Sequence, residues 1–332
     1  MFCSKCGQKL VNQDRFCPVC GTPSTTPSPE TITADWPKPW LYSRVGLLLL
    51  ATVLILIQIW KQFGNPYTLP NIIFIGSLAL PAAVLIFFFE MNVPRNISIF
   101  KVIKIFLLGG AGSLFVTLIG FSIAPEGGNA YIYPFVIGIV EETGKAVIAA
   151  YAIKKMQGRK YLLNGILLGG AVGAGFAVFE SAGYAMYYGL LAMLQTGQGL
   201  PAFYMQMMNI IKLRAFLSPG GHVAWAAVSG FAIILALQGE DFRWNVLLDS
   251  RFLRIYWIPI VLHGVWDTPL TVLGIPHLVQ ILLTLAIWVV LLVFISRGLK
   301  EVSEIKPYEE VPEAVQTAQP ASAAGYGTVT MM

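Results

Sequence analysis

The chain has 332 residues, of which 56% are hydrophobic and only 12% charged, and its mean hydropathy is +0.69. That balance excludes an ordinary soluble domain and a disordered chain, and leaves a polytopic membrane protein. The net charge of +5 follows from a one-sided placing of Lys and Arg, described below, so it does not argue for a nucleic-acid partner.

Residues 1–21 hold all four cysteines, as Cys3-x-x-Cys6 and Cys17-x-x-Cys20, with Gly7 and Gly21 after the two pairs. Two such knuckles supply four thiolates for a tetrahedral structural Zn²⁺, and a reducing cytoplasmic setting keeps them as ligands rather than disulfides. A module this small cannot bury a sufficient core, so its folding is expected to depend on the metal. With only Lys5, Lys9 and Arg15 as basic residues, it reads as a structural ribbon or a docking knob for a cytoplasmic protein, not as a nucleic-acid binder. The N-terminus is polar and the first apolar run begins near Val45, so no cleavable signal is expected. Residues 22–43 read as a Pro/Thr/Ser-rich linker.

A membrane domain is expected over 44–297, with apolar segments at 44–61, 69–89, 102–123, 131–153, 162–189, 221–238, 253–273 and 277–296. Each suits a spanning helix of roughly 20 residues. The fold class is therefore an all-α polytopic membrane protein of about eight transmembrane helices with a small zinc ribbon in front. Residues 201–216 are too polar for an ordinary span and read as a short interfacial or re-entrant helix on the outer side. Gly165, Gly169, Gly173, Ala177 and Ser181 recur at i+4 and form a ridge for close helix packing. Residues 298–332 turn polar and then Ala/Pro/Thr-rich, and read as a disordered cytoplasmic tail. With both ends inside, 18 of the 22 Lys and Arg residues fall in inner segments and three in outer ones, Lys145 lying within a span. That bias predicts a plasma-membrane protein with both termini cytoplasmic.

Within these apolar segments stand Glu141-Glu142-x-x-Lys145, Phe176-x-x-x-Glu180 and His263-x-x-x-Asp267. A charged residue at the bilayer centre costs roughly 2.5–3.5 kcal/mol on insertion scales, so an uncompensated set of this size would cost on the order of 15 kcal/mol. The groups must pair, bind something or line water. Residues i and i+4 share a helix face, so Glu141 can meet Lys145, and His263 can meet Asp267. Counting residues puts Glu141 and His263 near mid-depth. Glu180 falls near the outer edge, as does His222, which follows Pro219-Gly220-Gly221. Carboxylates and imidazoles in a shielded, wet cavity are the parts of a hydrolase: bases for water, and imidazoles for metal binding or oxyanion stabilisation. His277, beside Pro276 at a loop edge, reads as incidental, and Phe176 as packing. Gly-x-Ser-x-Gly and HExxH are absent from the sequence.

In this order on successive helices, the three motifs resemble those of the PrsW family of intramembrane proteases, distant relatives of the CAAX prenyl endopeptidases. The resemblance covers about residues 100–275 and includes the stretch from Arg214 through Pro219-x-x-His222-x-x-Trp225 to Gly230. It implies cleavage of single-span, anti-sigma-factor-like membrane proteins near the extracytoplasmic side. By analogy with the CAAX enzymes, Glu141 and Glu180 would hold and activate water, and His263 and Asp267 would stabilise the oxyanion or orient substrate. In a metal-dependent version, Glu141, Glu180, His222 and His263 would ligate a divalent cation, with Glu142 as a candidate base. Lys145, Arg214 and Phe176 would support the set. The same intramembrane groups could serve a proton-coupled transporter, but no repeat relates 44–153 to 162–296 as many carriers require. A non-catalytic sensor or adaptor on the same scaffold is the other alternative.

Overall fold

The computed structural model describes residues 40–125 and 127–304. The four-cysteine module, the linker up to residue 39 and residues 305–332 lie outside them. The described residues form helices α1 (Leu41–Phe63), α2 (Thr68–Met91), α3 (Ile99–Ile123), α4 (Tyr133–Lys154), α5 (Leu162–Thr196), α6 (Leu200–Leu217), α7 (His222–Leu237), α8 (Ser250–Asp267) and α9 (Leu278–Glu304). Apart from an isolated bridge between Val272 and Ile275, they contain no β structure. All eight predicted spans are helical. By length and composition, α1, α2, α3, α5, the α6–α7 stretch and α9 are apolar enough to cross a membrane. The two others, α4 and α8, carry Glu141, Glu142 and Lys145 and Arg251, Arg254 and Asp267, which lower their hydropathy.

Helix α5 runs to Thr196 rather than 189, and three further boundaries differ from expectation. Helix α8 stops at Asp267 rather than 273, because Pro269 pushes Thr268 to an extended conformation (ψ 138°). Helix α9 runs on to Glu304, so the segment expected to be a disordered tail from 298 opens with two further helical turns. Helix α1 begins at Leu41, inside the expected linker, because the Glu90 carboxylate accepts from the Leu41 and Tyr42 N–H groups at 2.8 and 3.1 Å. The same device starts α5: Glu301 on α9 accepts from the Leu162 N–H at 2.8 Å. Each carboxylate satisfies donors that a helix start leaves open.

Helix α5 is the axis of the fold. Its 35 residues span about 52 Å, more than the hydrocarbon core of a bilayer. Against it lies a broken antiparallel partner. Phe203 of α6 packs on Gly189, and Arg214 bonds Ser181. Beyond a 3₁₀ turn at Ser218–Gly220, α7 continues the same line, its His222, Ala226 and Gly230 backbones against Gly173, Gly169 and Gly165. The segment expected to be interfacial or re-entrant is thus the first half of a discontinuous helix, α6 followed by α7. The glycine ridge does what its spacing predicts: a Cβ on Gly165, Gly169 or Gly173 would overlap a carbonyl of α7. On another face, Gly175 meets the Phe106 carbonyl in a π-helical stretch of α3, Ile105–Gly109. Gly173→Ala is accordingly expected to destabilise the protein by about 1–3 kcal/mol. It should also move His222, and an unchanged melting temperature in detergent would refute the packing argument.

Candidate active site

Close approaches on α4 set the site. Gly138 lets the α8 backbone in beside Ile260, His263 and Gly264, with its virtual Cβ 3.1 Å from the Ile260 carbonyl oxygen, while Gly144 packs on Ser113 and Thr117 of α3. Between these two glycines stand Glu141 and Glu142. Measured from the helix ends on the Leu41 side, Glu141, His222, His263 and Glu180 lie about 20, 22, 20 and 27 Å along their helices. The depth mismatch that counting suggests therefore narrows to little more than one helical turn, at Glu180. It comes from ending the spans of Glu180 and His222 at 189 and 221, whereas α5 runs on to Thr196 and α7 is prolonged by α6.

A cavity of about 530 Å³ is lined by Glu141, Glu180, His222, His263 and Asp267, with Arg214 at one wall and Trp225 and Trp266 at another. Glu141 Oε2 is its hub, 3.4 Å from Lys145 Nζ, 3.9 Å from His222 Nδ1 and 3.8 Å from His263 Nε2. Glu142 faces the other way. It is fully buried, is not among the cavity-lining residues, and its Oε1 accepts from Lys145 Nζ at 2.7 Å and from His263 Nδ1 at 2.9 Å. Lys145, also fully buried, sits 4.2 Å from the centre of the Phe176 ring and 2.7 Å from His222 Nδ1. Phe176 thus does more than pack, since its face holds the ammonium that three polar neighbours share.

These contacts fix the imidazoles. An ammonium only donates, so His222 Nδ1 accepts and Nε2 carries the proton that meets Glu180 Oε2 at 2.8 Å. A carboxylate only accepts, so His263 Nδ1 carries a proton. Its Nε2 faces Glu141 and, at 3.3 Å, Asp267. Two carboxylates against one ring nitrogen call for either a second proton on that nitrogen or a cation beside it. Glu141, His222 and His263 each offer a donor atom within 4.8 Å of the others. That is wider than the roughly 3.4 Å between donors of a tetrahedral zinc, and close enough for small side-chain movements to close it. Glu142 behind His263 supplies the carboxylate–imidazole backing that metal-ligating histidines usually have. The donor types fit a divalent cation, which His222 can ligate once Lys145 leaves its Nδ1 or its Nε2 proton passes to Glu180.

Glu180 is reached from outside by Arg214, which makes an ion pair with its carboxylate, bonds Ser181 Oγ at 2.8 Å and lies 4.6 Å from the Tyr184 ring centre. The structure therefore brings together all six predicted catalytic residues and the three supporting ones. It adds several that the sequence reading left without a part in the site, Ser181 having been placed only in the packing ridge. Trp225 stacks on His263 with ring centres 4.6 Å apart, Ser181 and Tyr184 hold Arg214, and His277 lines the cavity with Gln280. Only Trp225 carried a signal, its place three residues after His222.

A model of a family described as "PrsW family intramembrane metalloprotease" matches residues 81–295, and a zinc-ribbon domain matches residues 2–24. The protease PrsW of Shouchella clausii (strain KSM-K16) is 28% identical over 229 residues, which cover 64% of this chain and 93% of that protein. No solved structure matches. The family match spans most of the described helices and takes in every residue that lines the cavity. The chain therefore belongs to the PrsW family of intramembrane metalloproteases and is a multi-pass membrane peptidase.

Proposed function

We propose that the protein cuts a single-span, membrane-anchored protein of the anti-sigma-factor type close to the outer face of the plasma membrane. The observation that carries this reading is the cavity in which Glu141, Glu180, His222 and His263 converge, some 20–27 Å from the Leu41-side helix ends. Most Lys and Arg residues cluster on that side, which supports a cytoplasmic placing of both termini and an outward-facing cavity. Glu141 and Glu180 hold the attacking water between them. Glu180, less enclosed than Glu142 and oriented by His222, takes the water's proton and passes it to the departing amine. His263 and Asp267 face the scissile carbonyl and orient it. Glu142 and Lys145 act from behind, as the groups that fix the two imidazoles. In the metal-dependent alternative, Glu141, His222 and His263 would instead hold a divalent cation, which when bound would supply Lewis-acid polarisation of the carbonyl and a more acidic water.

Comparison of protein N-termini in membranes from cells carrying wild-type or Glu141→Gln protein, at matched expression, tests this function. New N-termini found only with wild type, beside or within transmembrane segments, are the expected result. Identical sets under envelope stress would overturn it in favour of an adaptor on a protease scaffold.

The N-terminal ribbon is read as a structural zinc site on Cys3, Cys6, Cys17 and Cys20, presenting a docking surface to a cytoplasmic protein. Cys3→Ser with Cys6→Ser is expected to lower bound zinc by one ion per chain while far-UV circular dichroism of the helices stays unchanged. Full zinc content in that variant would sink the assignment.

A further inference from the structure

Helix α6 differs from its neighbours in how it is held. Its two ends are glycine-bearing joints: Gly197 and Gly199 at positive φ (67° and 65°) before it, and Ser218–Gly221 after it. The second joint is pinned, since Trp288 of α9 donates to the Pro219 carbonyl at 3.0 Å and Gly220 packs on Thr284. Between the joints, α6 does not enter the main core. Phe203, Met207, Met208 and Ile211 form a separate small cluster with Leu69, Ile72, Ile73 and Ala185. Methionine-rich contacts of this kind repack at little cost. The strongest polar tie from α6 to the body is Arg214, on Glu180 and Ser181. Leu213, Arg214 and Leu217 of α6 line the catalytic cavity.

Size adds a constraint. One turn of a helix with side chains, about 10–12 Å wide and 5.4 Å high, fills on the order of 500 Å³. The cavity of about 530 Å³ is of the order of one turn and open on one side, so a membrane-anchored chain that continues on both sides of the cut bond extends past its rim, where α6 stands. The other walls are α4, α5, α7, α8 and, at the rim, Thr268, Pro269 and His277 of the α8–α9 connection with Gln280 of α9. Of these, α5 and α7 are locked backbone to backbone along the glycine ridge, and α4 is fixed on α8 by Gly138.

We propose that α6 is the hinged wall that substrate displaces, pivoting at Ser218–Gly221, and that Arg214 is both its latch and the positioning residue for Glu180. When the wall is shut, Glu180 is held against His222. When it opens, Arg214 leaves and the carboxylate is released. The proposal rests on the peptidase reading only for the identity of what enters.

Hydrogen exchange on the full-length protein in lipid nanodiscs tests the hinge without any substrate. Amides in 203–217 are expected to exchange about tenfold or more faster than those in 222–237, and faster again in Arg214→Gln, with Arg214→Lys close to wild type. Gly189→Ala, which would push on the Phe203 ring without touching the cavity, should speed exchange in the same segment. Three results would overturn the proposal: equal protection of 203–217 and 222–237 in wild type, no response to Arg214→Gln, or loosening that spreads to 162–178 and 222–237. Glu141→Gln should leave exchange in α6 unchanged, so a failure of the peptidase reading would show in the N-terminal comparison alone.

Discussion

Glu141→Gln protein, inserted and folded, is expected to cleave at least about 10³-fold more slowly than wild type, within the range that a positioned base or a lost electrostatic partner commands. The substitution keeps the shape and removes the charge at the one oxygen that faces Lys145, His222 and His263 together. Glu142→Gln provides the contrast. Glu142 meets the imidazole of His263 from behind and does not line the cavity, so its loss should cost about 10–100-fold, the usual range for a group that backs a ligand. Initial rates on one substrate identified from the N-terminal comparison would check both. Equal losses in the two variants would contradict the division of roles, and a tenth or more of wild-type rate in Glu141→Gln would remove Glu141 from the chemistry.

The second large effect is on stability. Lys145→Met leaves Glu142 buried with its main counter-charge gone and Glu141 beside it. Breaking a buried pair in this way costs about 3–5 kcal/mol. Adding Glu142→Gln removes the stranded charge, so the double variant should regain most of that stability without regaining activity. Unfolding in bicelles, run as a double-mutant cycle, gives the coupling directly. Additive losses would mean that the 2.7 Å contact contributes little.

Much of this site was legible in the sequence because intramembrane charge is so costly that each Glu, His and Lys there demands a partner. The motif spacing placed Glu141 with Lys145 and His263 with Asp267, and both pairs are present. The glycine spacing in 162–183 announced a close helix contact, and the structure supplies α7 as its partner. Three features were not legible. The direction in which Glu142 points depends on where α8 lies, which no local pattern encodes. The α6–α7 continuity depends on a turn at Ser218–Gly220 that reads equally well as the start of a surface loop. The π-helical stretch at Ile105–Gly109 has no composition of its own and follows from the packing of Phe106 on Gly175.

The Leu162 N–H is closed by Glu301, 139 residues further along the chain, and His263 comes from α8, the last but one of the described helices. During synthesis, α4 and α5 enter the membrane well before either group has been made. The first two glutamates of the cavity are therefore in place while it still lacks an imidazole from α8 and while the start of α5 lacks its cap. The full set of side chains around the cavity therefore comes together only after α8 has been made.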